Sequence, residues 1–474
     1  MRAEHRIEDR LRRELSDWRV WVARAVVITV AAAAGLTVVG FTWLTERALH
    51  LFSELRVQWW WIPLLMTPLS TGLIVWLTRR FVPGAAGSGI PQVMAALDSS
   101  VDASTRGLFV SMKLALSKIL LTAWGLLAGL SMGREGPSVQ VAAGIMLASK
   151  RWLPKRSAVT EHGLLVAGGA AGIAAAFNTP LAGVMFAIEE LSRAPEHRNS
   201  GLIIAGIVLA GLIAVSTYGN GTYFGVIHVP EIGISAVLPG LLVALCSGVA
   251  GGLFARLLIV SLGGRATDVY SKWRARQPVA FAAACGLAVA VIGVVTAGAT
   301  FGSGYAYTRA MLEGNESVPA VYVLFKFVTT WLTSWSGAPG GIFAPSLAIG
   351  AALGNDIALL TGYPHAPTLI ALGMAGFLAA ATQAPLTAFI IVMEMVDGHA
   401  MVLSLMACAL IASAVSRVLS RPLYATLAQM QLARMAPARA AAGSTGTTQH
   451  VIPPSEPAPA DPGEGEVAAG PTPG

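Results

Sequence analysis

The chain is 474 residues long, with 55% hydrophobic residues, only 12% charged residues and a formal net charge of +7, and its mean hydropathy is +0.65. That balance excludes an ordinary soluble globular protein, in which about 25% of residues are charged, and makes a lipid bilayer the natural solvent. It does not point to nucleic acid, because the basic residues flank apolar segments without interleaved aromatics, a pattern that marks the cytoplasmic edge of membrane proteins.

Residues 1–19 carry arginines at 2, 6, 10, 12, 13 and 19 and read as a cytoplasmic amphipathic helix with no cleavable-signal pattern. From Val20 the chain turns apolar. A helix needs about 20 residues to cross a hydrocarbon core, and apolar stretches of roughly that order follow at 20–44, 59–77, 107–130, 202–217, 236–262, 279–297, 318–335 and 401–415. Many of the chain's 51 Gly and 26 Pro lie inside such segments. Lipid tolerates interrupted helices only where protein or a water-filled cavity satisfies the freed backbone groups, so a substrate path is expected. Residues 435–474, rich in Pro, Ala, Gly and Thr without apolar periodicity, read as a disordered tail. One membrane domain, 20–434, lies between. Cys246, Cys285 and Cys408 sit inside apolar runs, and the eight histidines show no pairing at metal-ligand spacing, so no disulfide, metal or cofactor is expected.

An internal repeat organises the membrane domain. Residues 174–189 (AAAFNTPLAGVMFAIE) match 379–394 (AAATQAPLTAFIIVME) without gaps, 205 positions on. Upstream, GREGPS at 133–138 faces GIFAPS at 341–346, and Lys118 faces Lys326, both pairs 208 positions apart; a looser pair is GSG at 87–89 and at 302–304. The halves run over about 20–218 and 232–434. Paired, Gly/Pro-interrupted apolar segments point to a transporter site at the repeat interface.

The same segments carry the candidate chemistry. In GSGIP at 87–91, glycines let the backbone approach a ligand, and the helix that follows would aim its positive amino end at an anion, with the Ser88 hydroxyl as a further donor; the plainer reading is a helix-breaking turn. GREGP at 133–137 sets Arg134 and Glu135 at the start of another helix. Glu135 is either a partner of the helix dipole or a carboxylate that mimics the anion, occupies its site and leaves when protonated. Its counterpart, GIFAP at 341–345, has no acid, which leaves the backbone N–H groups of Ile342 and Phe343 free for an anion. Inverted repeats would point these helix ends at each other across the midplane, which suits an anion site better than parallel repeats. Glu189 and Glu190 close the apolar run 181–188, and Met395 stands where Glu190 would repeat; that asymmetry favours Glu190 as a buried proton carrier over an interfacial acid. Lys118 and Lys326 either snorkel or, with Arg134, support an interior positive field. Tyr424 alone reads as an interface-belt aromatic.

GSGIP, GREGP and GIFAP, in this order, make the chain resemble the CLC family of chloride channels and proton-coupled chloride transporters over roughly residues 20–432. The resemblance implies an all-α integral membrane protein built as an inverted repeat of tilted and broken helices, a homodimer with one pore per subunit. It implies Ser88 as the central serine, Glu135 as the external gating glutamate, Ile342, Phe343 and Gly136 as backbone-amide donors, Tyr424 as the pore tyrosine and Glu190 as the internal proton-transfer glutamate. Serine in GSGIP is similar to chloride-selective members. Gln92 and Met94 stand where some bacterial relatives carry acids, so a different inner proton route is expected, and the paired cystathionine-synthase-type domains of larger members are not expected. The expectation is therefore chloride–proton exchange in a bacterial inner membrane, with both termini cytoplasmic. A passive anion channel of the same fold is the alternative. An intramembrane enzyme is disfavoured, since the motifs hold no nucleophile–His pair or metal cluster.

Overall fold

The computed structural model describes residues 17–444 apart from 156, 158, 193–199, 220–222, 225–233, 265–267, 315–318 and 320. The segment 1–16, expected as part of an amphipathic helix, lies outside the described residues. Eight principal helices make the first half: α1 (Trp18–Gln58), α2 (Ile62–Phe81), α3 (Ile90–Leu97), α4 (Met112–Leu127), α5 (Glu135–Ala148), α6 (Glu161–Phe177), α7 (Pro180–Phe186) and α8 (Ser200–Tyr218). Eight more repeat them in order: α9 (Val237–Gly263), α10 (Pro278–Val295), α11 (Tyr305–Leu312), α12 (Val321–Ser336), α13 (Phe343–Thr361), α14 (Ala366–Thr382), α15 (Pro385–Val396) and α16 (Val402–Leu419). A last helix, α17 (Leu423–Ser444), follows. By contact the chain divides at Leu432/Ala433. The described part of the second unit is the end of α17, which runs to Ser444 and so enters the segment expected to lack structure.

Among the described residues six helices are long and apolar enough to cross a membrane, α1, α2, α9, α10, α13 and the stretch His399–Leu419; the others are shorter or less apolar. At 41 residues, α1 is about 60 Å long, twice the hydrocarbon thickness of about 30 Å. It therefore tilts or projects, and its second half, from Thr45 onward, turns polar.

The breaks follow from the sequence. Both α6 and α14 end on a residue in the left-handed conformation, Asn178 (φ 60°) and Gln383 (φ 62°), which stops the helix. Two residues later Pro180 and Pro385 start α7 and α15, where a missing N–H and a fixed φ are favourable. The two halves meet through equivalent elements: α2 packs on α10, and α7 on α15.

The inversion is visible at one point. Gly133 and Gly341, 208 positions apart, form an antiparallel bridge in which each N–H donates to the other's carbonyl, at 2.7 and 2.8 Å. Equivalent residues can pair antiparallel only if the halves are related by a two-fold rotation that reverses the chain direction. The helices α5 and α13, which begin just after this bridge, are buried for most of their length.

Candidate functional site

The bridge sets two helix amino ends side by side. In α5 and α13 the first-turn N–H groups have no intrahelical acceptor, and the macrodipole makes each end partly positive. Ile342 is the N-cap of α13 and Phe343 its first residue, so their amides face the same region as that of Gly136 in the first turn of α5.

A third end comes from α3. Its N-cap, Gly89, has φ 104°, a conformation in which any side chain is strained. The loop before it is fastened from two sides: the Gly87 carbonyl accepts from Lys118 Nζ at 2.6 Å and from Gly340 N–H at 3.1 Å, and Lys118 Nζ also donates to the Ala85 carbonyl at 2.7 Å. Lys326 does the same in the second half, donating to the carbonyls of Thr300 (2.9 Å) and Gly302 (2.7 Å). Both lysines are fully buried and each orders the Gly-rich loop that starts a short helix.

Ser88 packs on α5 so closely that a Cβ on Gly136 would lie 2.3 Å from its Oγ. The Tyr424 hydroxyl faces Ser88 and lies within electrostatic reach of both Glu135 and Glu190. Beyond facing each other, neither Ser88 Oγ nor the Tyr424 hydroxyl has a hydrogen-bond partner among the described residues. Two buried hydroxyls beside buried helix amino ends are neutral donors of the kind that suits a small anion. The Tyr424 ring stacks on Phe343 (centroids 6.0 Å apart, 19° between planes), and Phe177 and Phe186 lie 6.2 and 6.4 Å from the Phe343 ring. These two phenylalanines were not singled out from sequence.

Glu135 is buried as the first residue of α5. Its carboxylate folds back over Gly133, where a Cβ would meet Oε2 at 2.1 Å. Oε2 has no hydrogen-bond partner among the described residues, and the backbone N–H groups that the carboxylate faces include that of Ala344 at the start of α13. An acid from one half therefore reaches the positive helix end of the other, which a simple cap of its own helix would not do.

Arg134, its neighbour, points away into a cluster. Its guanidinium donates to Glu46 Oε1 (2.9 Å), the Tyr223 hydroxyl (3.2 Å) and Thr45 Oγ1 (3.4 Å). None of these partners was legible in the sequence, since they lie 88 and 89 positions away.

Beyond Phe186 the helix continues as a π-turn, Ala187–Ser192, whereas the equivalent acid Glu394 sits in the regular helix α15. Such turns admit an extra residue and recur at functional sites. Here the π-turn separates two adjacent acids. Glu189 reaches across to α15, where it accepts from the N–H groups of Leu386 and Thr387 at 3.0 and 2.6 Å, while Glu190 is buried. Gln92, in place of an acid, is also buried, and its side-chain amide donates to the Ala86 carbonyl.

Inverted halves, broken helices and convergent helix ends around unpaired hydroxyls define a multi-pass membrane transport protein. A family model described as Voltage gated chloride channel matches residues 70–417, and the chain belongs to that family. It is 29% identical over 445 residues to the H(+)/Cl(-) exchange transporter ClcA of Citrobacter koseri, covering 90% of this chain and 91% of that one. With ClcA of Salmonella typhimurium it shares 30% identity over 392 residues, or 79% and 80% of the two chains. Among solved structures, a slow cyanobacterial Cl-/H+ antiporter is similar at TM-score 0.73 and 25% identity, over 87% of this chain and 98% of that one. A CLC-type fluoride/proton antiporter shares the fold at TM-score 0.70 and 22% identity, over 85% and 98%.

Proposed function

We propose that the protein exchanges chloride, or a similar small anion, for protons across a bacterial inner membrane. The observation that carries this reading is the placement of Glu135, whose carboxylate lies where an anion held by the end of α13 would lie. Ionised, it competes with the anion for the helix ends. Protonated, it loses that attraction and leaves, so anion and proton occupancy exclude each other at one point, and that exclusion couples the two fluxes.

Ser88, Tyr424 and the amides of Gly136, Ile342 and Phe343 hold the anion, Arg134 with the two lysines supports the positive field, and Glu190 carries the proton from the inner side. The burial of Glu190 within reach of Tyr424 favours exchange over a passive channel, which needs no such acid. Relatives named for H(+)/Cl(-) exchange support the same choice. The inner proton route bypasses position 92, because the Gln92 side chain is spent on holding the loop before Ser88. The transport domain covers 20–434, with both termini cytoplasmic, and two copies form a homodimer in the bilayer.

The test is purified protein in liposomes with chloride and proton fluxes recorded together. A chloride gradient should drive protons uphill. Chloride flux with no proton movement would establish the channel instead.

A further inference from the structure

We propose that Tyr223 is a positioning residue for Arg134 and, through it, for the gating carboxylate Glu135; this rests on the exchange reading and names a part of the same gate. The Arg134 side chain is 9% exposed, whereas its ionic partner Glu46 is 55% exposed. A carboxylate that open to water is mobile and screened, so it holds the guanidinium weakly. Tyr223 is the firmer partner. Its backbone carbonyl accepts from the Tyr305 hydroxyl at 2.9 Å, and its ring packs at 4.8 Å from Tyr305, 5.0 Å from Phe224 and 6.0 Å from Phe177. The next residue, Phe224, donates its N–H to the Met395 carbonyl at 2.9 Å.

The residues 223–224 belong to the segment that joins the two halves. They are tied to α11 through Tyr305 and to α15 through Met395, both in the second half, and reach back to the residue that precedes Glu135 in the first. The backbone around the gate is already fixed: Gly133 is in the bridge, and the Arg134 carbonyl accepts from Ser138 N–H at 2.8 Å and Ser138 Oγ at 3.0 Å. What Tyr223 sets is where the guanidinium charge stands relative to the carboxylate one residue on. In a water-poor interior that separation governs how firmly the carboxylate is held.

The experiment compares chloride turnover, in proteoliposomes with proton flux recorded alongside, for the parent protein, Tyr223→Phe, Glu135→Gln and the double variant. Tyr223→Phe keeps the ring and removes the hydroxyl that Arg134 uses. It should change turnover roughly three- to tenfold, the effect of one lost hydrogen bond of ordinary strength. In the Glu135→Gln background the same change should disappear, leaving the double variant within about twofold of Glu135→Gln, because residues acting through one group are not additive. Tyr305→Phe, which releases the Tyr223 carbonyl, should move turnover in the same direction and be silenced in the same way; it decides the matter if Tyr223→Phe protein does not fold. An effect of equal size in both backgrounds, or none in the parent, overturns the proposal. If the parent moves chloride without protons, the exchange reading fails on its own, and the turnover cycle still decides the role of Tyr223.

Discussion

Glu189 and Glu394 cap each other's helices. The carboxylate of Glu189, in the first half, accepts from Leu386 and Thr387 N–H at the start of α15 (3.0 and 2.6 Å), and that of Glu394 accepts from Leu181 and Ala182 N–H at the start of α7 (3.2 and 2.7 Å). Each helix begins with a proline, which has no N–H to offer, so the next two N–H groups are the ones in need of an acceptor. An acid from the opposite half supplies it, and the exchange is two-fold like the Gly133–Gly341 bridge.

These caps join the halves, so Glu189→Ala and Glu394→Ala should each cost about 1–2 kcal/mol, the range of a lost helix cap with its charge. Thermal unfolding of the purified protein in detergent checks this. Both midpoints should fall by similar amounts and the double variant should fall further. Unchanged midpoints would show that the contacts are not energetically coupled to folding.

Lys118 and Lys326 should prove equivalent for stability and different for transport. Lys→Met at either position takes a donor from two carbonyls, of which that of Gly87 keeps the Gly340 N–H, but it also removes a buried charge that is expensive to desolvate. A net cost of roughly 1–3 kcal/mol is expected at each. Lys118→Met frees the loop that carries Ser88, so it should raise the chloride KM. Lys326→Met frees the loop that leads into α11, so it should leave the chloride KM within about twofold of the parent and act on turnover. Equal effects on KM would show that the Ser88 loop is not set by Lys118.

Much of this arrangement was legible in the chain, and what was not has a common cause. The 205- and 208-residue offsets located the broken helices, because turn chemistry is local: Asn178 and Gln383 stop a helix and Pro180 and Pro385 restart one. The burial of the lysines followed from their repeated placement, but their carbonyl partners did not, since a donor's target depends on how loops fold back over α4 and α12. Sequence could say that Glu189 and Glu190 differ; it could not say that one of them crosses to the other half, because the π-turn that separates them leaves no simple signature. Glu46, Tyr223 and Tyr305 were invisible for the same reason. Glu46 of α1 and Tyr223 become neighbours of Arg134, and Tyr305 of α11 a neighbour of Tyr223, only when distant parts of the chain pack together.

Glu190→Gln should keep chloride flux while ending coupled proton movement. It removes a buried acid, the proposed proton carrier, within electrostatic reach of Tyr424 and leaves the helix ends of α5 and α13 untouched. The measurement is uphill proton pumping driven by a chloride gradient in proteoliposomes. Continued pumping by the variant would remove Glu190 from the proton path.

The most direct measurement is paired chloride and proton flux through Glu135→Gln protein in liposomes, over a range of pH. Glutamine keeps nearly the volume of the acid but cannot ionise, so it neither competes with the anion at the α13 helix end nor carries a proton. Chloride flux should persist, much less sensitive to pH, with no coupled proton movement. Removing a charge that merely capped α5 would instead cost roughly 0.3–1 kcal/mol of stability and leave coupling in place. Well-folded Glu135→Gln protein that still exchanges protons for chloride with the parent's pH dependence would contradict the account.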